Sequence, residues 1–379
     1  MTTAQFASNV TPMRARGTAR VRPFAEADIP QVAEVHRAAF GLGNRARPAE
    51  YTEYFTRVFL DSAERGISSL VFQDHDGRVA GFVGIVPRRV TIAGRQYQAA
   101  ISSQFIVDPS SHVALVALRL AKAYLEGPQD LSIADEANDV SRKIWEGLGG
   151  TTALLLSMYW TRALRPSQLG LSFLRGRRAA APIAKVAAPL AMLADRMAAR
   201  FPGSQFRQQP PSTASAPLFA QTVVEHSPAL CDRTALRVDY DEQTFQRLLD
   251  RTASPAAGRR AINAVVKSGS SILGWYVADI DAHGVVEVAQ LSATMATIAD
   301  VLDHLFYRAW REGGVSVTGR LDPRFLQPLS DKYCLFHRRG PWVLIKSNTP
   351  ELVTALESGR TCLSRLDGEW SLRFRPQQP

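Results

Sequence analysis

Hydrophobic positions along the first part of the chain change period several times, and each change marks an element. Alternation over 19–24 (ARVRPF) predicts a strand, after which Glu26, Ala27 and Asp28 open a helical run with Ile29, Val32, Val35 and Phe40 on one face. A second helix is expected over 48–59, where Tyr51, Tyr54, Phe55 and Phe59 recur at helical spacing. Residues 68–98 read as a meander with turns at Asp76-Gly77 and Ala93-Gly94, and 99–109 as a strand stopped by Pro109. A long helix follows over 112–127, capped by Ser110 or Ser111 and ended near Gly127. A strand over 130–137, a glycine-closed helix over 138–150 and a final strand pair over 151–164 complete the run. This order (strand, two helices, three strands, helix, strand, helix, strand) predicts a mixed α/β, α+β-like layer structure with helices on both faces of one sheet.

The pattern breaks at 165–218, where Arg165, Arg175, Arg177, Arg178, Lys185, Arg196, Arg200 and Arg207 stand against a single acid, Asp195. Residues 179–201 predict one or two helices, broken or kinked at Pro182 and Pro189, and 204–217 a flexible proline-rich stretch. From 236 the alternation resumes. Strands are expected at 236–238, 315–321, 341–348 and 363–374, a hairpin at 271–291, and helices at 241–251, 296–314, 322–334 and 350–359. The second series echoes the first, which predicts a tandem repeat of one fold. Four parts result: a flexible N-terminus (1–18), a first domain (19–164), a basic Ala/Pro-rich linker with a helical segment (165–218) and a second, degenerate copy (219–379).

Composition narrows the function classes. A chain of 379 residues with 46% apolar and 21% charged residues fits a soluble globular protein of two domains. Cys231, Cys334 and Cys362 show neither pairing nor metal-ligand spacing, which points to a reducing cytoplasm. The first twenty residues hold no apolar core run, and no stretch of 18 apolar residues occurs, so neither a signal peptide nor a spanning helix is expected. The formal charge of +10 sits largely in the linker, which argues against a nucleic-acid partner and leaves contact with an anionic membrane surface as a minor reading. No phosphate-loop, HExxH, CxxC or GxSxG pattern is present, and the seven histidines are scattered, so no metal is expected.

The segment 105–150 carries the chemistry. Val107-Asp108-Pro109 ends a strand; after an intervening helix and strand, Asn138, Ser141, Ile144, Trp145, Glu146, Leu148 and Gly149 follow in an N-x-x-(small)-x-x-(apolar)-(aromatic)-E-x-L-G pattern. These motifs resemble the cofactor-binding half of the GNAT acyl-CoA N-acyltransferases, and the order of elements extends the resemblance over 19–164. The resemblance implies a central mixed sheet flanked by helices, duplicated here. It also implies direct transfer of an acyl group, most simply acetyl, from acetyl-CoA or another acyl-CoA to an amine acceptor in a ternary complex. A small molecule, an amino sugar or a peptide could supply that amine, and a homodimer is one arrangement.

By the same resemblance, coenzyme A lies over the strand end Phe105, Ile106 and Val107 and over the helix start at Ser110, Ser111, His112, Val113 and Ala114. Unpaired N–H groups and the positive dipole end there suit a pyrophosphate. The family's glycine-rich loop is replaced by these five residues, and Trp145 stands where many members carry a tyrosine acid. Asn138 and Trp145 are then further cofactor contacts, with Trp145 against the pantetheine arm or in the core.

Asp135 and Glu136, at a strand end beside the presumed cleft, are the candidate bases, with Ser102, Ser103 and Gln104 as neutral positioning groups. Arg47, Tyr51 and Tyr54 fall in the segment that lines the acceptor side in this family, and Tyr333 is the candidate acid of the second copy. Two other readings remain: a non-catalytic tandem-GNAT binding or scaffolding protein, and a transferase that uses a different acyl or aminoacyl carrier.

Overall fold

The computed structural model describes residues 18–41, 47–62, 66–175, 181–232, 234–253 and 258–374. The N-terminal segment expected to be flexible lies almost entirely outside them. The first half runs β1 (Arg20–Pro23), α1 (Ile29–Phe40), α2 (Pro48–Phe55), β2 (Leu70–Gln73), β3 (Val79–Ile92), β4 (Arg95–Val107) and α3 (Val113–Leu125). It continues with β5 (Leu131–Ala137), α4 (Asp139–Gly147), β6 (Thr151–Thr152) and β7 (Tyr159–Ala163). Then come α5 (Pro166–Arg175), α6 (Ala181–Ala198), β8 (Ala214–Ala216), α7 (Ala220–Leu230), β9 (Arg237–Val238) and α8 (Glu242–Ala253). Strands β10 (Arg260–Ala261), β11 (Ala264–Ser268), β12 (Ser271–Ile280) and β13 (Val285–Ala293) lead to α9 (Ile298–Arg311), β14 (Ser316–Arg320) and α10 (Leu326–Asp331). The chain closes with β15 (Leu335–His337), β16 (Trp342–Ser347), α11 (Pro350–Glu357) and α12 (Glu369–Leu372).

These strands form two sheets of the same design. The first is ordered β1-β2-β3-β4-β5-β16-β6, and the second, read in the matching direction, β8-β11-β12-β13-β14-β7-β15. In each, one parallel pair (β4 with β5, β13 with β14) sits among antiparallel neighbours. The strand next to the last is exchanged. β7, expected to close the first sheet, pairs with β14 and β15 of the second, while β16 from the second half inserts between β5 and β6. β9 likewise crosses over to pair with β3. The two units are therefore interlocked by main-chain hydrogen bonds.

Each sheet is covered on both faces. On the first, Ile29, Val32, Tyr51, Phe55, Ile101, Ile106 and Leu352 bury one side, and Val83, Ala100, Leu120, Tyr124, Trp145 and Leu344 the other. On the second, Trp160, Tyr276, Val301, Leu305 and Val317 pack one side, and Val223, Phe245, Trp275, Val277 and Trp370 the other. Apolar side chains alternate along β4 between the two cores, which fixes its register through burial.

Several elements differ from expectation. α6 is one helix through Pro189, with Pro182 in its first turn, where a missing N–H costs little. Part of the proline-rich stretch forms β8, paired with β11. The tail expected as a strand over 363–374 is irregular, carrying the short α12 instead. Cys231 and Cys362 form a disulfide across 131 residues of sequence, a separation that no spacing rule recognises. The inference of a reducing compartment, which rested on unpaired cysteines, loses that support.

Candidate active site

β4 and β5 pair only at Ala99–Leu131, Ala100–Ser132 and Ile101–Ile133, and then diverge. Tyr124 of α3 sits at the vertex. Its hydroxyl donates to the Ala100 carbonyl at 2.7 Å and accepts the Ile133 N–H at 3.1 Å, with burial raising its pKa. A bulge in β4 widens the gap. Ser103 pairs with Gly84 and Ile106 with Phe82, so Gln104 and Phe105 face Val83 alone, and Gln104 takes a left-handed φ of 52°. Such backbone is costly for a non-glycine residue unless its surroundings hold it. They do: the Gln104 amide oxygen meets His36 Nε2 at 2.9 Å, and the Gln104 N–H donates to Glu369 Oε1 at 3.0 Å. His36 is buried among aromatic rings, and desolvation lowers its pKa to about 4, so it stays neutral near pH 7.

Between the diverging strands lies a cavity of about 180 Å³. Its walls include Ser102, Ser103, Gln104 and Phe105 of β4, Glu136 of β5, and Asn138, Ser141 and Trp145 at and within α4. Of the residues proposed from the sequence, Phe105, Asn138, Trp145 and Glu136 thus come together. Asn138 also caps α4, accepting the Ser141 N–H at 2.9 Å, and Trp145 packs on Tyr124. Ile106 faces the opposite core, and Val107 packs against the same core as Phe105.

The start of α3 lies beyond the strand end. Ser110 and Ser111 do not cap it: Ser110 bonds the Asp108 carboxylate at 2.8 Å and Ser111 the Asp108 carbonyl at 2.7 Å. His112 is the N-cap residue, and no side chain caps the first turn. Val113 and Ala114 are exposed, so neither side chain is packed into the protein at the helix start.

The acidic cluster contains a residue that the sequence reading does not single out. Gly368 and Glu369 from the far end of the chain sit against β4 and β5. The Glu369 N–H donates to Asp135 Oδ1 at 2.7 Å, and its carboxylate accepts from Gln104 N–H and, at 3.4 Å, from the Ser103 hydroxyl. A Cβ on Gly368 would come within 2.0 Å of the Asp135 carboxylate, so glycine is required for this approach. Burial, opposed by the Gln104 N–H and helped by the charges of Asp135 and Glu136, raises the Glu369 pKa to about 8.

Asp135 and Glu136 are differently placed. Asp135 is buried and salt-bridged to Arg320 at 3.0 Å; Glu136 accepts two bonds from Arg365 at 2.9 and 3.1 Å and another from Arg373. Desolvation of Glu136 is outweighed by these guanidinium charges, which lower its pKa. A carboxylate held ionised in this way is a weak proton acceptor, whereas Glu369 is poised. The far separation of Glu369 from its partners hides it in the sequence; the dense tail RLDGEW is the available signal.

A second cavity, of about 240 Å³, lies beside 371–374. Glu50, Glu53, Tyr54, Arg57, Asp250, Arg251 and Arg373 line it together with Val58, Ser371 and Phe374. Tyr54 lines this space, but Tyr51 is fully buried against Phe374, and Arg47 is exposed and paired with Glu50. Tyr333 is exposed, just past α10, in neither of these cavities.

No protein-family model matches the chain, and no curated protein matches it. Solved structures do. A protein of Enterococcus faecalis described as a probable N-acyltransferase superposes with a TM-score of 0.55 at 14% identity, covering 87% of this chain and 72% of that one. A GCN5-related N-acetyltransferase from Anabaena variabilis gives 0.57 at 10% identity over 88% and 73% of the two chains. One from Kribbella flavida gives 0.52 at 15% over 87% and 71%. The chain thus has the fold of the GCN5-related N-acetyltransferases, here with two mixed sheets of like design flanked by helices, and it is the fold that the motifs of 105–150 resemble.

Proposed function

We propose that this protein is an N-acyltransferase that moves an acyl group, most simply acetyl, from acyl-CoA to an amine. The observation that carries the reading is the pairing of an open cleft between β4 and β5 with a carboxyl group, Glu369, whose pKa is raised to about 8. The Val113 N–H is taken by the Ser111 carbonyl at 2.9 Å, so the next main-chain N–H groups of the first turn of α3, those of Ala114 and Leu115, would hold the pyrophosphate, and Phe105, Asn138 and Trp145 the pantetheine arm. The bound thioester supplies an activated acyl group.

This chain's residues supply position and proton handling. The larger cavity, lined by the carboxylates Glu50, Glu53 and Asp250 and by the guanidinium groups of Arg57, Arg251 and Arg373, would take a polar acceptor through charges of both signs. Glu369 takes one proton from the ammonium, directly or through one water, and so frees the lone pair that attacks the thioester carbonyl; as the C–S bond breaks, the second proton leaves the nitrogen and ends on the departing thiolate. Asp135 and Glu136 are positioning residues: Asp135 holds the Glu369 backbone, and both charges keep the Glu369 pKa high. The departing thiolate needs no strong acid, because a thiol has a pKa of about 8.5. We place the catalytic cleft in the unit expected over 19–164 and read the second unit as a brace that also donates Glu369.

Thermal unfolding with and without millimolar acetyl-CoA tests this reading, since a ligand that binds the native state must raise the midpoint. No shift, together with no acyl-CoA turnover against a panel of amines, would leave the scaffolding alternative standing. The same shift assay with other acyl-CoA esters sorts the acyl group.

A further inference from the structure

The hairpin of α5 and α6 carries a surface that the proposed reaction does not use. One face of α6 is packed inward. Ala191 and Asp195 are buried there, and the Asp195 carboxylate accepts the Ser167 and Gln168 N–H groups at 2.8 and 3.1 Å, clamping α5 to α6. On a 3.6-residue helix, Val186, Leu190, Leu193 and Met197 fall together on the face directly opposite. They are 80%, 70%, 57% and 45% exposed, and Phe201, just past the helix end, is 60% exposed. A surface helix ordinarily turns polar residues outward; this one turns large apolar residues outward from Val186 to its end.

Charge decides the occupant. Segment 165–218 holds eight basic residues and one acid, and that acid, Asp195, is buried in the clamp. Arg196 and Arg200 flank the apolar stripe and are exposed, as is Arg207. A second copy docking stripe to stripe would bring these cations toward their own duplicates. An anionic lipid surface accepts both features at once, taking the apolar stripe at the acyl boundary and the guanidinium groups at the headgroups. We propose that α6 is a membrane-surface docking helix, lying in the interface of an anionic bilayer. No helix among the described residues is long and apolar enough to cross one.

The test is co-sedimentation of the full chain with vesicles of equimolar phosphatidylcholine and phosphatidylglycerol, and with phosphatidylcholine alone. Binding to the anionic vesicles at low salt, weaker at high salt and on the neutral vesicles, is the expected result. The double variant Leu190→Glu/Leu193→Glu should lower the partition coefficient about tenfold or more, since each glutamate replaces a buried apolar contact by a charge. Its thermal midpoint should match the parent's, because both positions face away from the core. Absence of vesicle binding overturns the proposal. If the parent then dimerises in analytical ultracentrifugation and the double variant does not, the stripe is a self-association face instead.

Discussion

The two sheets begin from one plan and end with unequal clefts. In both, a parallel pair diverges after three or four residues, and a bulge marks the strand that leads to the helix. Between β4 and β5 the gap keeps a cavity of about 180 Å³, whereas between β13 and β14 about 40 Å³ remains. Residues 362–365 line the smaller space, and the Leu366 N–H donates to the Ala289 carbonyl at the bulge. The same tail then crosses to the first sheet and presents Glu369. One segment therefore lines the smaller space and places Glu369 at the larger one, so the two sheets differ at the same point of a shared plan.

The largest expected effect is at the cleft that holds Glu369. Glu369→Gln keeps the acceptor for the Gln104 N–H but cannot take a proton, so turnover should fall by about 10²–10⁴-fold. The midpoint shift by acetyl-CoA should survive. In the parent, turnover should rise with pH toward about 8, where Glu369 ionises. The same carboxyl adds a stability signature. Its folded pKa lies above the unfolded value, so its contribution is complete below about 4.5 and is lost as pH rises through about 8; the glutamine variant should lack that decline. Full turnover by the variant would remove Glu369 from the chemistry.

Next in size is the ion-pair bridge that ties the two halves. Arg365 is buried between Glu136 and Glu287, and both carboxylates have lowered pKa values through its charge. Arg365→Met leaves them with reduced compensation and should cost about 3–5 kcal/mol in urea unfolding. Their stabilising contribution is present above the unfolded carboxylate value and lost as pH falls through the lowered one. Acidification should therefore cost the parent more stability than the variant, which has already lost most of that contribution. A loss under about 1 kcal/mol at neutral pH would put the bridge on a par with an exposed pair and show it to be incidental.

A paired substitution sharpens the contrast between clefts. Ala114→Glu and Ala299→Glu each put an acid in the first turn of the matching helices α3 and α9, at exposed positions. The first should weaken acetyl-CoA binding about tenfold, or about 1.4 kcal/mol, by meeting the pyrophosphate with like charge; the second should change it little. Equal effects would mean that the smaller cleft also binds. Tyr124→Phe is the mildest change. Losing the hydroxyl at the vertex should lower stability by about 1 kcal/mol, readable as a small drop in the thermal midpoint.

Local chemistry makes the first half legible. Ile29, Val32 and Val35 repeat at helical spacing because one face is buried, Asn138 caps α4 as its side chain suggests, and Asp76-Gly77 turns the chain. The strand end with Phe105 and the helix with Asn138 and Trp145 are readable in the same way. Glu369 is not. Its N–H donates to Asp135, 234 positions away, and no local motif joins the two.

By itself, then, the sequence determined which segments are helix or strand over most of the chain, and that a similar order of elements occurs twice. Periodicity and capping are short-range effects, and they are written within a few residues. Only the tertiary structure decided which sheet each strand joins. β7 and β16 are both short strands whose local pattern names no sheet, and the exchange goes with long-range packing of Trp160 in one core and Leu344 in the other. The same holds for Cys231 with Cys362, and for the raised pKa of Glu369, which arises from burial and from charges brought together by folding.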